Sequence, residues 1–294
     1  RRGRAGDTEE EGGRNMSRAG TRIPGREAGG TLFIAAFIVF ALLVFLYPIL
    51  NLVNVSLKTS KAFMMDPVGI SHTFHYRNYV EVFVRNNFIR NFFNSLFYLA
   101  ASNLLTLSVS AFAAFVISRK YVRFAGFFYV LFLTGIFLPD PLIPQFYLLL
   151  KMGLYNHPLG YVLLKANPGI LMLLMVGYYK TIPRDFDEAA AIDGCGTTRY
   201  LYRFVLPLSR PIFAAGAILL SVTVWNDIIG TTIFLTSPRY YPVIRALFAF
   251  VGQYGTDWPP LAAAVFIVAV PLIVLYLFFQ RFIISSIVSG GVKG

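Results

Sequence analysis

Residues able to do chemistry are scarce in this chain, and their spacing limits what they can do. Three histidines and one cysteine stand among 294 residues. His72 and His75 lie three apart and would share one face if helical, but two imidazoles without a nearby carboxylate or thiolate make a poor metal site. His157 sits in a turn beside Pro158, and Cys195 has no paired base. Flanked by Gly194 and Gly196, Cys195 is best explained as a small residue in a turn. No Gly-x4-Gly-Lys-Ser/Thr phosphate cradle occurs, so the chain has no nucleotide motor of its own. Without a convergent set of catalytic groups, a membrane-embedded enzyme is the weakest functional class.

The carboxylates are more informative. Asp185, Asp187 and Glu188 open the segment TIPRDFDEAAAIDGCGTTRYLYRFVLPLSRP, residues 181–211. Its pattern predicts two short helices. Pro183 suits a first helical turn, and the three acids complement the positive end of the helix dipole before Ala189, Ala190 and Ala191 continue it. Gly194 and Gly196 permit a turn, after which Thr197 or Thr198 can cap the second helix. Leu201, Phe204, Val205 and Leu208 then recur at i, i+3, i+4 and i+7, which makes one apolar face ended by Leu206-Pro207 and Arg210-Pro211. On pattern alone this is an amphipathic helix lying among lipid headgroups.

The elements that must carry these residues follow from composition. Hydrophobic residues make up 56% of the chain and charged residues only 14%, against about 25% in an ordinary soluble protein. Such a chain needs a non-aqueous solvent. A helix crossing about 30 Å of hydrocarbon takes about 20 apolar residues. Residues 31–57, 91–118 and 258–280 meet that test without a single charge. Residues 124–150 are interrupted by Asp140 among Pro139, Pro141 and Pro144, which predicts a span with an irregular outer end. Residues 159–179 carry Lys165 and Pro168 near one end, where the lysine can reach the headgroups, and residues 211–235 carry Asp227. The fold class is therefore an all-α polytopic membrane protein with six transmembrane helices.

The net charge of +12 could signal nucleic acid, but the basic residues flank the apolar runs. With the amino terminus inside, 17 of the 26 Lys and Arg residues fall on the cytoplasmic side, including Arg119, Lys120, Arg123, Lys180, Arg184, Arg199, Arg203 and Arg210. The charge is thus a topology signal with both termini cytoplasmic, and no nucleic-acid partner is expected. Residues 1–30 are rich in Gly, Arg and Glu and predict a disordered cytoplasmic segment, with Met16 a candidate start that would leave residues 1–15 upstream. The first apolar run is longer than a signal-peptide core and reads as a retained span.

Glu188-Ala189-Ala190, then Gly194, then Leu206-Pro207 resemble the EAA loop of ATP-binding-cassette importer permeases. Trp225-Asn226-Asp227, the YGTDWP stretch from Tyr254 to Pro259 and the terminal Gly291-Val292-Lys293-Gly294 are similar to the maltose-type carbohydrate branch of that family. The resemblance runs from about residue 31 onward. It implies a type I importer permease domain over residues 31–294, with residues 181–210 as its coupling loop. It also implies a second homologous permease, an ATPase dimer that supplies ATP and Mg, and an extracytoplasmic sugar-binding protein, in a bacterial inner membrane. The chain itself would bind no cofactor. In such an assembly Glu188 anchors to a basic residue of the ATPase, Ala189 and Ala190 allow close approach, and Gly194 permits the turn. The substrate class implied is a di- or oligosaccharide.

Ionisable residues at membrane depth usually face a pathway or a partner. Asp140 is a pathway candidate, or else a cap for the next helix at the outer interface. Trp225, Asn226 and Asp227 could stack on and hydrogen-bond a sugar, but a structural or gating role is favoured, because the resemblance assigns sugar binding mainly to the partner permease. Asn94, Ser95, Asn103 and Ser110 are expected to bond to neighbouring helices, and paired phenylalanines such as Phe127-Phe128 and Phe278-Phe279 to face lipid or helices. The alternative is an ion-gradient-driven secondary transporter with Asp140 and Asp227 as coupling sites, which leaves the EAA-like loop without a purpose.

Overall fold

A computed structural model describes residues 27–72, 74–84, 87–252 and 255–291, the last ten and residues 27–29 by backbone alone. Among the described residues the only β pairing is an isolated bridge between Val251 and Thr256. The disordered segment expected at the amino terminus lies outside the described residues up to residue 26, as do Tyr254 and the last three residues. Helix α1, Glu27–Ser56, begins inside that expected segment. Two compact units divide at Leu50. In the first, α1 is apolar all round and exposed, as a lipid-facing helix must be.

The second unit is built around α4, Phe88–Ser118, which at about 1.5 Å per residue exceeds the hydrocarbon thickness. After α2, Ser60–Met65, and α3, Arg77–Val84, the chain enters α4 and then passes through α5, Ala125–Phe137, and α6, Leu142–Lys151. Next come α7, Pro158–Lys165, α8, Gly169–Thr181, α9, Asp185–Ile192, α10, Thr197–Tyr200, and α11, Leu206–Leu208. Helices α12, Arg210–Trp225, α13, Ile228–Phe234, α14, Val243–Ala246, and α15, Trp258–Gly291, complete the order. Helix α4 packs against α5, α7, α8, α12 and α14.

Its polar residues hold those neighbours. Asn94 donates to the carbonyls of Arg239 and Tyr241 at 2.9 and 3.0 Å, and Ser95 Oγ accepts from the Val243 amide at 2.8 Å. Asn103 donates to Ser221 Oγ at 2.8 Å, and Ser110 reaches the Pro168 carbonyl at 3.5 Å. Ser95, Asn103 and Ser110 thus reach neighbouring helices or their caps as expected, whereas Asn94 holds the turn that precedes α14. Phe127 and Phe278 are exposed and do not pack into the helix core, which fits the lipid-facing of the two expected roles.

Six spans are recovered only if three bent helix pairs each count as one: α1, α4 and α15 are long and apolar enough alone. The third expected span is no simple helix with a frayed end. Helices α5 and α6 meet at 112° because Pro139 and Pro141 remove amide donors and Pro139 holds Leu138 in an extended conformation. Helices α7 and α8 meet at 47° across Ala166, Asn167 and Pro168. The fifth expected span, 211–235, is broken at Asn226 and Asp227, so α13 is a separate short helix. On its other side α12 meets residues 197–208 at 73°.

Helix α7 is tightly seated. A methyl group on Gly160 would run into the backbone carbonyl of Leu154, whereas one on Gly177 would meet open space. Gly160→Ala is expected to destabilise the protein by about 1–3 kcal/mol. Gly177→Ala should leave stability unchanged or raise it by up to about 1 kcal/mol. Thermal melting of the two detergent-solubilised variants separates these outcomes.

Candidate functional site

The EAA-like segment folds as two helical pieces, but not with the expected ends. Helix α9 starts at Asp185 with Arg184 as N-cap, so Pro183 stands before the helix and not in its first turn. Asp185, Asp187 and Glu188 do occupy that first turn, where their charge suits the dipole. Glu188 and Ala189 are exposed and Ala190 is buried. A methyl side chain at 190 lets α9 approach Phe115, Tyr179, Ile182 and Tyr200, with which it shares one apolar cluster. The chain reverses at Gly194, whose φ of +67° lies in the left-handed region that favours glycine, and the Cys195 amide caps back to the Ala190 carbonyl at 2.8 Å. Gly196 has φ −61° and ψ 154°, which any residue adopts, so its glycine is not required by the turn.

The second piece departs further. Gly196, not Thr197 or Thr198, is the N-cap of α10, and no side chain caps it. Residues 201–205 then form a π turn, with the Leu206 amide bonded to the Leu201 carbonyl. This wider turn changes the phase of the apolar face: Tyr200, Leu201 and Val205 are buried, while Phe204 and Leu208 are exposed. Pro207 supplies the reason, since it lacks an amide and its ring would crowd the preceding turn of a regular helix. Helical structure continues through Pro207 to Leu208 and breaks at Ser209. Leu206 is half-buried against the same cluster as Ala190, and Pro207 is exposed.

Beneath α9 lies a polar contact that the sequence pattern did not suggest. Arg119, the C-cap of α4, places Nε 3.1 Å from Asp187 Oδ2 and donates through Nη1 to the Ile182 carbonyl at 3.2 Å. The first contact is a charge contact, not an aligned hydrogen bond. Burial, then the Asp187 carboxylate, raise the pKa of the neighbouring Tyr200 hydroxyl, and Arg119 partly opposes them. Each charge also complements a helix end, Arg119 at the carboxyl end of α4 and Asp187 at the amino end of α9.

The intramembrane candidates do not gather into one sugar-facing group. Trp225 is buried edge-on to Phe92 and donates to the Val268 carbonyl at 3.1 Å, which ties α12 to α15. Asn226 is exposed and bonds back to the Val222 carbonyl at 3.0 Å. Asp227 caps α13 through the Gly230 amide at 2.9 Å. Its other oxygen contacts Lys165 Nζ at 2.6 Å and accepts from the Tyr161 hydroxyl at 2.9 Å. Lys165 thus closes an ion pair across two helix breaks. Asp140 is exposed, and its backbone carbonyl, not its side chain, bonds to Leu142. Helix α6 is capped by Pro141 without a side-chain bond, so Asp140 is not the expected cap.

Residues 72 and 75 lie outside any helix, and no cluster of three His, Cys, Asp or Glu occurs among the described residues. His157 caps α7 by accepting from the Leu159 amide at 3.2 Å. A cavity of about 530 Å³ is lined by Asn87, Arg90, Tyr241 and Arg245 among others. Arg245 braces it by donating to the Leu235 carbonyl at 2.8 Å while stacking 3.7 Å from the Tyr241 ring.

Removing the cation from the Asp227 pair leaves a mostly buried carboxylate without its counter-charge. Lys165→Met is expected to destabilise by about 2–4 kcal/mol, and adding Asp227→Asn should cost less than the sum of the single changes. Thermal melting of the two single variants and the double variant measures that coupling.

Comparison with known proteins sets this geometry in a family. Residues 79–288 match the model of the binding-protein-dependent transport system inner membrane component. A probable ABC transporter permease of Bacillus subtilis is 31% identical, over 90% of this chain and 89% of its own length. The sulfoquinovosyl glycerol transport system permease of Agrobacterium fabrum is 29% identical over 89% of this chain and 93% of its own length. For the trehalose/maltose transport system permease of Thermococcus litoralis the figures are 27%, 85% and 92%. Among solved structures, a chain of a bacterial ABC transporter involved in import of the acidic polysaccharide alginate has a TM-score of 0.79 at 20% identity, covering 87% of this chain and 96% of that one. The last likeness speaks to the fold, which is all-α and polytopic. With the family model spanning most of its length and a relative above 30% identity, the chain belongs to the inner membrane components of binding-protein-dependent ABC transport systems.

Proposed function

We propose that this chain is a permease subunit of an ATP-driven carbohydrate importer and forms half of its translocation pathway. One observation carries the reading: α9 presents Glu188 and Ala189 outward while Ala190 and Asp187 hold its other side to the permease body. An exposed carboxylate on a helix fixed from behind can pass a rigid-body push. The remaining parts of the assembly are a homologous second permease, an ATPase dimer that binds ATP and Mg, and an extracytoplasmic sugar-binding protein. The relatives' names support the carbohydrate class, since they include transport systems for arabinooligosaccharides, for melibiose, raffinose and stachyose, and for trehalose and maltose. A di- or oligosaccharide is the substrate class proposed here. The basic flanks of the spans support cytoplasmic termini in a bacterial inner membrane.

A secondary transporter has no support left. The family is one of ABC permeases, and Asp227 is already occupied by Lys165 and Tyr161.

Glu188→Lys tests the docking face. The tagged wild-type chain should co-elute with an ATPase and a second permease, and its uptake should stop when ATP hydrolysis is blocked. The substitution places the wrong charge at the interface and should weaken ATPase binding on the order of 100-fold. Normal co-elution and uptake in the variant would contradict the docking assignment.

A further inference from the structure

We propose that Arg119, Asp187 and Tyr200 form the joint through which movement of α9 is passed to α4, so that they are positioning residues for transport and not for ATPase docking. The inference rests on the permease reading above and adds the load path inside this chain.

Three observations carry it. First, Asp187 and Glu188 are successive residues of α9, about 100° apart around the helix. One carboxylate faces Arg119 and its neighbour is exposed, so the same turn touches the permease body on one side and is free on the other. Second, Arg119 is the C-cap of α4, the helix against which α5, α7, α8, α12 and α14 pack, so a displacement delivered there reaches most of the second unit. The Nη1 bond to the Ile182 carbonyl fixes the approach to α9 at the same point. Third, the contact is shielded: the Arg119 and Asp187 side chains are mostly buried, and the buried Tyr200 lies close enough for its hydroxyl to feel both charges, so a displaced α9 carries α4 with it instead of sliding past it.

The adjoining π turn suits the same purpose. Tyr200, the residue before it, shares the buried cluster beneath α9 with Leu201 and Val205, and its hydroxyl feels both Asp187 and Arg119.

The test uses the whole complex in proteoliposomes, with sugar uptake and ATP hydrolysis measured in the same vesicles. Asp187→Asn and Arg119→Gln should leave the ATPase co-eluting and hydrolysis within about twofold of wild type, while sugar moved per ATP falls about tenfold. The exchanged pair Arg119→Asp with Asp187→Arg should recover part of that loss. Arg119→Lys and Tyr200→Phe keep charge or volume and guard against misfolding, and each should lower the ratio by about threefold with the complex intact. An unchanged ratio in these two conservative variants, or ratio and ATPase co-elution lost together in the first two, would overturn the joint. Wild-type vesicles whose uptake ignores ATP would instead overturn the permease reading, and the joint with it.

Discussion

Hydrocarbon offers no hydrogen bonds, so every interruption of a membrane helix must be satisfied from within the protein. This chain interrupts its helices repeatedly, and at the α7–α8 and α12–α13 breaks side chains close the gaps. At the break between α12 and α13, Asp227 caps the second helix and its free oxygen draws in Lys165 from the break between α7 and α8. One ion pair thereby staples two broken spans. Asn167 closes the other end of the α7–α8 break by accepting from the Gly169 amide at 3.0 Å. Such breaks permit bending without exposing backbone to lipid, which a transport pathway between moving helices requires.

The same requirement explains why α4 is so polar for a buried helix. Thirteen of its residues are buried, among them Asn91, Ser95, Ser102, Asn103, Thr106, Ser110 and Ser118. Small hydroxyl and amide side chains let backbones approach closely and supply specific bonds where apolar packing alone has no preference between helices and lipid. Helix α4 therefore acts as the frame: the carbonyls of Arg239 and Tyr240 bind near its start through Asn94 and Tyr98, and the EAA-like loop binds at its end through Arg119. A frame held at both ends is what a displacement needs if it is to cross the membrane.

Much of this was legible in the sequence because hydrophobic runs and proline clusters act locally. The long apolar helices, the interhelical role of Asn103 and the left-handed turn at Gly194 follow from residue type and spacing alone. The degree of bending at Pro139 and Pro141 did not, since proline fixes where a helix stops but not where the next one points. The π turn is invisible to a pattern with a period of 3.6 residues, and Phe204 and Leu208 leave the buried face that such a period assigns them. The sequence suggests headgroup and topology roles for Lys165 and Arg119 because their partners, Asp227 and Asp187, lie far along the chain. Pairwise electrostatics between distant segments leaves no periodic trace in a sequence.

The central claim is that α9 and α4 move as one body while the ATPase cycles. It is tested most directly by a spin-label distance between Ile192 at the end of α9 and Val109 on α4, both exposed, in the assembled complex with Cys195 replaced by serine. The distance should be the same in the nucleotide-free and ATP-bound states, while the distance from Ile192 to a label on the second permease changes. If the Ile192 to Val109 distance changes as much as the distance between subunits, α9 moves independently of the frame and the account fails.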